Sequence, residues 1–282
     1  MDHPVYHPRR CNTVLVVDWD ETVTVRDTTA LLALVAEQHA PKERQFAYFT
    51  TKYLESYAQF EKLFHNEYGD ITTHHMETQF QKRLRAIEMQ SIRRLEESRF
   101  FLDVPKTVFE QLALSIELRP DAVPFLRSFC GAVYVLSVNW CRSMIETCLA
   151  QQGLECVTVM ANDLETHNGR TTGIFSAEFD IRTGYDKACK LQELRNAHPA
   201  AHIVFVGDSH GDVLAIVEAD VGIVIANGKA KQTLQKIAEV HSIVTVNECT
   251  THERGTGISP ANVSPVVYEG TWAQIAASLP CK

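Results

Sequence analysis

The sequence predicts an α/β fold: a doubly wound, mainly parallel sheet with an inserted, all-helical second domain. Three observations point there. From about residue 119 onward, short apolar runs alternate with amphipathic helical patterns, as in strand–helix–strand units with right-handed crossovers. One further apolar run, residues 14–17, stands far upstream and ends in Asp18 and Asp20. Between the two, residues 25 to about 115 show helical periodicity and no strand pattern.

Each element has its own signal. Val14 to Val17 is rich in β-branched residues and reads as a buried strand. Leu31, Leu32, Leu34 and Val35 fit one amphipathic helix. Phe46, Phe49, Tyr53, Tyr57, Phe60 and Phe64 share one face of a second, where core packing is expected. Met76, Phe80, Leu84 and Ile87 mark a strongly charged third. Pro105 suits the first turn of a fourth. Strands are then expected at Ala132–Val138, Cys156–Met160, His202–Val206 and Val221–Ala226, with Ile243–Val246 the last and shortest. Helices are expected from Cys141 to Gly153, from Asp186 through Leu194, over Gly211–Ala219, over Lys229–Val240 and over Trp272–Leu279. Asn168-Gly169 predicts a tight hairpin. Residues 250–265, rich in Thr, Gly, Ser and Pro, read as a loop.

Composition narrows the function. Apolar residues make up 45% of the 282, enough for a substantial core. The formal net charge of -8 argues against a nucleic-acid partner. No run approaches the ~18 apolar residues of a membrane span. Met1 to Arg10 has no apolar targeting segment, so a cytoplasmic protein is expected. The eight cysteines form no C-x-x-C pair and read as reduced, mainly buried thiols.

The chemistry gathers at predicted strand ends, where open α/β sheets bind ligands. Asp18 and Asp20 follow the first strand and repel each other unless a cation or a shared proton compensates, so Mg²⁺ is the first suspect. Ser137 ends the strand through Val135-Leu136, and Lys187 stands in the first turn of the helix opened by Gly184-Tyr185-Asp186. Gly207-Asp208-Ser209-His210-Gly211-Asp212 follows another strand.

In this order the four elements resemble the motifs of the haloacid dehalogenase superfamily: D-x-D-x-T at Asp18, Asp20 and Thr22; a strand-terminal Ser at Ser137; a basic residue at Lys187; and G-D-x-x-x-D at Gly207, Asp208 and Asp212. The resemblance implies a Rossmann-like core of residues 1–24 and 118–282, with residues 25–117 as a helical C1-type cap placed as a lid. It further implies a phosphatase acting on a small phosphorylated metabolite through an aspartyl-phosphate. In that scheme Asp18 is the nucleophile. The Asp20 side chain protonates the leaving alcohol and then activates water. Asp18, the Asp20 carbonyl and Asp208 hold Mg²⁺, with Asp212 a further or outer ligand. Ser137 and Lys187, with backbone N–H groups near Trp19 and Asn139, hold phosphate oxygens, and the Asn139 side chain either donates to phosphate or substrate or has a structural loop role. Lys190 is a rival for Lys187, one turn deeper in the helix. A second acid at position 20 favours phosphoryl transfer over dehalogenation, because a halide needs no proton.

The segments around Ser137 and Asp208, Glu218 to Val224 and Trp272 to Ile275 look like the phosphatase domain of plant thiamin monophosphate phosphatases and similar fungal proteins. Thiamin monophosphate is therefore the favoured substrate. A phosphosugar, pyridoxal phosphate or a phosphocholine-like ester is the alternative, and a non-catalytic regulatory protein is a third reading. Asp27 either meets a cationic head group or caps the helix beginning at Thr28. Trp19 and Trp140 either stack on substrate or, for Trp19, pack beneath the loop. Glu21, His210 and the pair His74-His75 are expected to face solvent.

Overall fold

The computed structural model describes residues 12–39, 43, 45–246 and 266–279. In chain order the first elements are β1 (Thr13–Val17), α1 (Thr29–His39), α2 (Phe46–Tyr68), α3 (His74–Glu97), β2 (Leu102–Pro105) and α4 (Lys106–Ala113). There follow α5 (Ala122–Ser128), β3 (Ala132–Leu136), α6 (Arg142–Gln151), β4 (Thr158–Met160), β5 (Leu164–His167), β6 (Arg170–Phe175) and α7 (Gly184–Ala197). The last are β7 (His202–Gly207), α8 (Val213–Glu218), β8 (Val221–Ile225), α9 (Ala230–Leu234), β9 (Ser242–Thr245), β10 (Val266–Gly270) and α10 (Trp272–Ser278).

Seven strands form one parallel sheet in the order β4-β3-β1-β7-β8-β10-β9. Both faces are covered, as a parallel sheet requires. Alternation along the strands sends Leu15, Val17, Val133, Val135, Val204 and Val206 into one core. Val14, Val16, Ile203 and Phe205 enter the core on the other face. Because β1 lies between β3 and β7, the chain ends of these three strands open side by side.

Thr24 and Leu118 form an antiparallel bridge. Beside it, Val25 N–H donates to Glu117 and Arg119 N–H to Val23. The helical segment therefore leaves and returns through adjacent backbone, next to the end of β1. Tyr57, Phe60 and Phe64 of α2 pack on Phe80 of α3.

Several expectations are corrected. Residues 25–115 do contain a strand: β2 pairs antiparallel with β6, which pairs with β5 in a second, three-stranded sheet. Lys106, after Pro105, is thus the first helical residue of α4. The final strand is β10, which inserts between β8 and β9. The helix expected over Lys229–Val240 shortens to α9. Among the described cysteines, Cys141 and Cys148 are buried, whereas Cys130, Cys156 and Cys189 are exposed. The hairpin at Asn168-Gly169 joins β5 to β6, both residues having positive φ (51° and 75°) as a type I′ turn demands. The loop expected over 250–265 lies outside the described residues.

Candidate active site

Asp18 is the first residue past β1, and its N–H donates to the Val206 carbonyl of β7 at 2.9 Å. That bond anchors it between two strand ends. Asp208 follows β7, and the next turn brings Asp212 back beneath it. The Asp212 Oδ2 accepts from the N–H groups of Asp208 (3.1 Å) and Ser209 (2.9 Å) and from the Ser209 hydroxyl (2.9 Å). Gly207 permits this fold-back, since a Cβ there would stand 2.5 Å from the Asp212 carboxyl carbon. Lys187 arrives from the first turn of α7, whose start is fixed by a capping box between Thr183 and Asp186. Its Nζ lies 2.6 Å from both Asp18 Oδ1 and Asp212 Oδ1.

Asp18, Asp208 and Asp212 are all buried, and a ligand oxygen from each falls within 4.8 Å of the others. Three carboxylates face one ammonium, so two formal negative charges stay uncompensated. Burial and the Asp212 charge drive the Asp18 carboxyl well above its ordinary range, with Lys187 opposing. The same causes push Asp208 up to about 7, against a hydrogen bond from Thr22 Oγ1 at 3.0 Å. Burial disfavours the Lys187 charge, but Asp18 and Asp212 outweigh it and hold the ammonium protonated. An all-oxygen cluster short of two positive charges fits a hard divalent cation such as Mg²⁺.

Asp20 belongs to a different environment. Its Oδ1 accepts from Thr28 N–H (2.7 Å) and Thr28 Oγ1 (2.6 Å), and its Oδ2 accepts from Asn139 Nδ2 (2.8 Å). Burial first, then the Asp27 charge, raises its carboxyl to about 6 despite these donors. The two acids at the end of β1 are thus separated: one against Lys187, the other in a hydrogen-bonded pocket where burial raises its carboxyl.

Ser137 is buried at the end of β3, and its Oγ accepts from Asn139 N–H at 3.1 Å. Its own hydroxyl hydrogen remains available to an incoming oxygen. Asn139 is not free to do the same. Its side chain donates to Asp20 and Thr28 (2.9 Å) and accepts from Cys141 N–H (3.0 Å), the structural one of the two roles the sequence allowed it. Asn139 instead orients Asp20. Lys190 pairs with Glu193 on the surface, away from the cluster.

Trp19 is fully buried in the sheet core, which removes it from the candidate recognition residues. Asp27 Oδ1 accepts from Thr29 N–H at 2.7 Å, the capping role, yet the residue also lines a cavity of about 320 Å³. Trp140, Phe46, Phe49, Tyr53 and Glu88 line the same cavity. The aromatic stripe of α2 therefore has two functions: its N-terminal part faces the cavity and its C-terminal part packs on α3. His210 does not face solvent freely, since its Nε2 lies 2.8 Å from the buried Glu77. His74 likewise meets Glu218 at 3.3 Å, and Glu21 meets Lys229 at 2.7 Å.

Three contributors escaped sequence reasoning. Thr28 was legible only as a helix start, although its hydroxyl holds Asp20. Glu88 is one charge among many on α3. Trp272 was legible as a helix start and as part of the resemblance, but not in its role: its Nε1 donates to the Thr22 carbonyl at 2.8 Å and pins the first loop.

A family profile of haloacid dehalogenase-like hydrolases matches residues 15–216. Cold tolerance protein 1 of Saccharomyces cerevisiae is 23% identical, over 76% of this chain and 79% of its own length. The bifunctional TH2 protein, mitochondrial, of Arabidopsis thaliana is 24% identical over 77% of this chain. The match spans 40% of that plant protein's length. Among solved structures, a substrate-bound phosphoserine phosphatase superposes with a TM-score of 0.51 at 16% identity, covering 80% of this chain and 90% of that one. That likeness carries the fold. Among the described residues no helix is long and apolar enough to cross a membrane.

Proposed function

The chain belongs to the haloacid dehalogenase-like hydrolases, and we propose that it is a Mg²⁺-dependent phosphomonoesterase acting on a small phosphorylated metabolite. The observation that carries this reading is the separation of Asp18 from Asp20. A nucleophile must stay ionised beside compensating charge, whereas a general acid must hold a proton. Asp18 has the Lys187 ammonium as its partner and would be ionised with a divalent cation bound, whereas Asp20 stands apart in a hydrogen-bonded pocket where burial raises its carboxyl to about 6.

Asp18, Asp208 and the Asp20 carbonyl would hold the metal, with Asp212 supporting from outside. The ion supplies positive charge that lets a carboxylate approach a phosphate dianion. Asp18 then attacks phosphorus, forming a carboxylate O–P bond as the ester P–O bond breaks. Asp20 delivers its proton to the departing alkoxide. Lys187 and the Ser137 hydroxyl hold the equatorial oxygens as charge shifts onto them. In the second half, Asp20 takes a proton from water, whose oxygen attacks the aspartyl-phosphate. Phosphate leaves and Asp18 is restored. Residues 25–117 act as a lid over this chemistry, and the remaining residues as its core.

Thiamin monophosphate is the favoured substrate, supported by the motif resemblance and by a plant protein among the relatives. Another small phosphomonoester is the second reading. Phosphate release from an aryl phosphate, with and without Mg²⁺, tests the activity. Wild type should require the metal, and Asp18→Asn should be inactive. A panel of thiamin monophosphate, pyridoxal phosphate and phosphocholine then tests the substrate, and equal rates across it would remove the thiamin preference.

A further inference from the structure

The 320 Å³ cavity beside Asp20 has an unusual wall. Four aromatic rings, Phe46, Phe49, Tyr53 and Trp140, line it together with two carboxylates, Asp27 and Glu88. No lysine or arginine lines it. Its volume is that of a site for a small organic molecule.

Glu88 is the feature that packing does not explain. It projects from α3 into an aromatic surround, accepts one hydrogen bond from Tyr53 Oη at 2.6 Å, and forms no ion pair among the described residues. Burial pushes its carboxyl up to about 7, as befits a charge without compensation. Opposing the rise are the Tyr53 hydrogen bond and, less strongly, the charge of Arg182, which makes no ion pair with Glu88 and pairs through its Nε with Asp180 at 2.8 Å.

The cavity wall also adjoins, along the chain, the residues that hold Asp20. Asp27 precedes Thr28 and Trp140 follows Asn139, and Thr28 and Asn139 are the two residues that hold the Asp20 carboxylate. An alcohol that takes its proton from Asp20 therefore departs beside this wall.

We propose that the cavity receives a positively charged part of the leaving alcohol, with Glu88 as its counter-charge and Tyr53 as the residue that positions Glu88. The inference rests on the phosphomonoesterase reading above and specifies its substrate class. That class is phosphomonoesters whose alcohol carries an alkylated, cationic nitrogen on a ring-sized apolar body. Ring faces attract such a cation through their quadrupoles, and a desolvated carboxylate adds a charge partner. A neutral alcohol leaves Glu88 uncompensated, and an anionic one is repelled.

The test uses two matched esters: the ethyl phosphate of an N-methylpyridinium ring, and its neutral isostere in which a tolyl ring replaces the pyridinium. Wild type should favour the cation by about tenfold or more in kcat/KM, chiefly through KM. Glu88→Gln should bring that ratio close to one, and Tyr53→Phe should lower it in part. A wild-type ratio of one or less overturns the proposal, as does a full ratio in a folded Glu88→Gln variant. If Glu88→Gln does not fold, the wild-type and Tyr53→Phe ratios decide. If neither these esters nor an aryl phosphate is hydrolysed, the phosphatase reading has failed. Calorimetric binding of the two free alcohols then tests the cavity by itself, and equal affinity overturns it.

Discussion

The strand-end cluster and the aromatic cavity both hold carboxylates short of positive charge, but they are built in opposite ways. Asp18 and Asp208 sit at the ends of adjacent parallel strands, with Asp212 folded back beneath them by the next turn, all fixed by backbone hydrogen bonds and a buried lysine. Little in that frame depends on which alcohol is attached to phosphate. Glu88 and Tyr53 come from two long helices outside the seven-stranded sheet and meet across 35 residues of chain. The first region is suited to a constant reaction, the second to a choice of leaving group. On the proposed function, generic chemistry would be carried by the sheet and selectivity by helices that can change without disturbing it.

Substitutions can break this division of labour in order of severity. Asp18→Asn should lower kcat/KM for every phosphomonoester by at least about a thousandfold, measured by phosphate release. If the variant lost activity on one substrate class alone, the cluster would not be generic. Asp20→Asn should cost about 10²- to 10³-fold on alkyl phosphates and less on aryl phosphates, whose leaving groups need little protonation. Its pH dependence has a definite sign. The acid must be protonated to donate, so alkyl-ester turnover in wild type should fall as pH rises through about 6, where the Asp20 carboxyl titrates. The variant should lack that limb.

Lys187→Met should act on stability as well as rate. It leaves Asp18 and Asp212 buried without their ammonium, a loss of about 3–5 kcal/mol for a broken buried pair. Denaturant melts should show this most strongly without Mg²⁺, and added Mg²⁺ should restore part of it. The smallest effect concerns the cavity. Glu88 has its carboxyl raised from 4.5 to about 7 in the folded chain, so the folded state binds the extra proton. Wild-type stability should therefore decline as pH rises between these two values. Glu88→Gln should lose that part of the decline, giving a higher Tm than wild type at pH 8 without ligand.

The contrast also explains what could be read from the chain. Asp18, Ser137, Lys187, Asp208 and Asp212 were legible because each stands just past a strand or in a first helical turn, positions fixed by local pattern. Asn168-Gly169 was legible for the same reason. β2 was not, because its pairing partner lies some 65 residues on and Asp103 adopts a positive φ of 61°. β10 escaped because it follows a polar segment and inserts between strands that precede it. Asn139 and Trp19 show the limit within the site itself. Proximity in sequence to Asp18 and Asp20 left open whether each side chain faces a ligand or the protein, and in the structure Asn139 bonds to Asp20 while Trp19 is buried in the core. Glu88 carried no local signal and Tyr53 showed only as one ring of an aromatic helical face, since their meaning lies in a contact between helices.

The measurement that bears most directly on the split between Asp18 and Asp20 is mass spectrometry of acid-quenched enzyme during turnover with Mg²⁺. One phosphoryl group should be found on the peptide containing Asp18 in wild type, and it should accumulate in Asp20→Asn, where water is no longer activated. No covalent phosphate in either protein, or phosphate on a residue other than Asp18, would contradict the account.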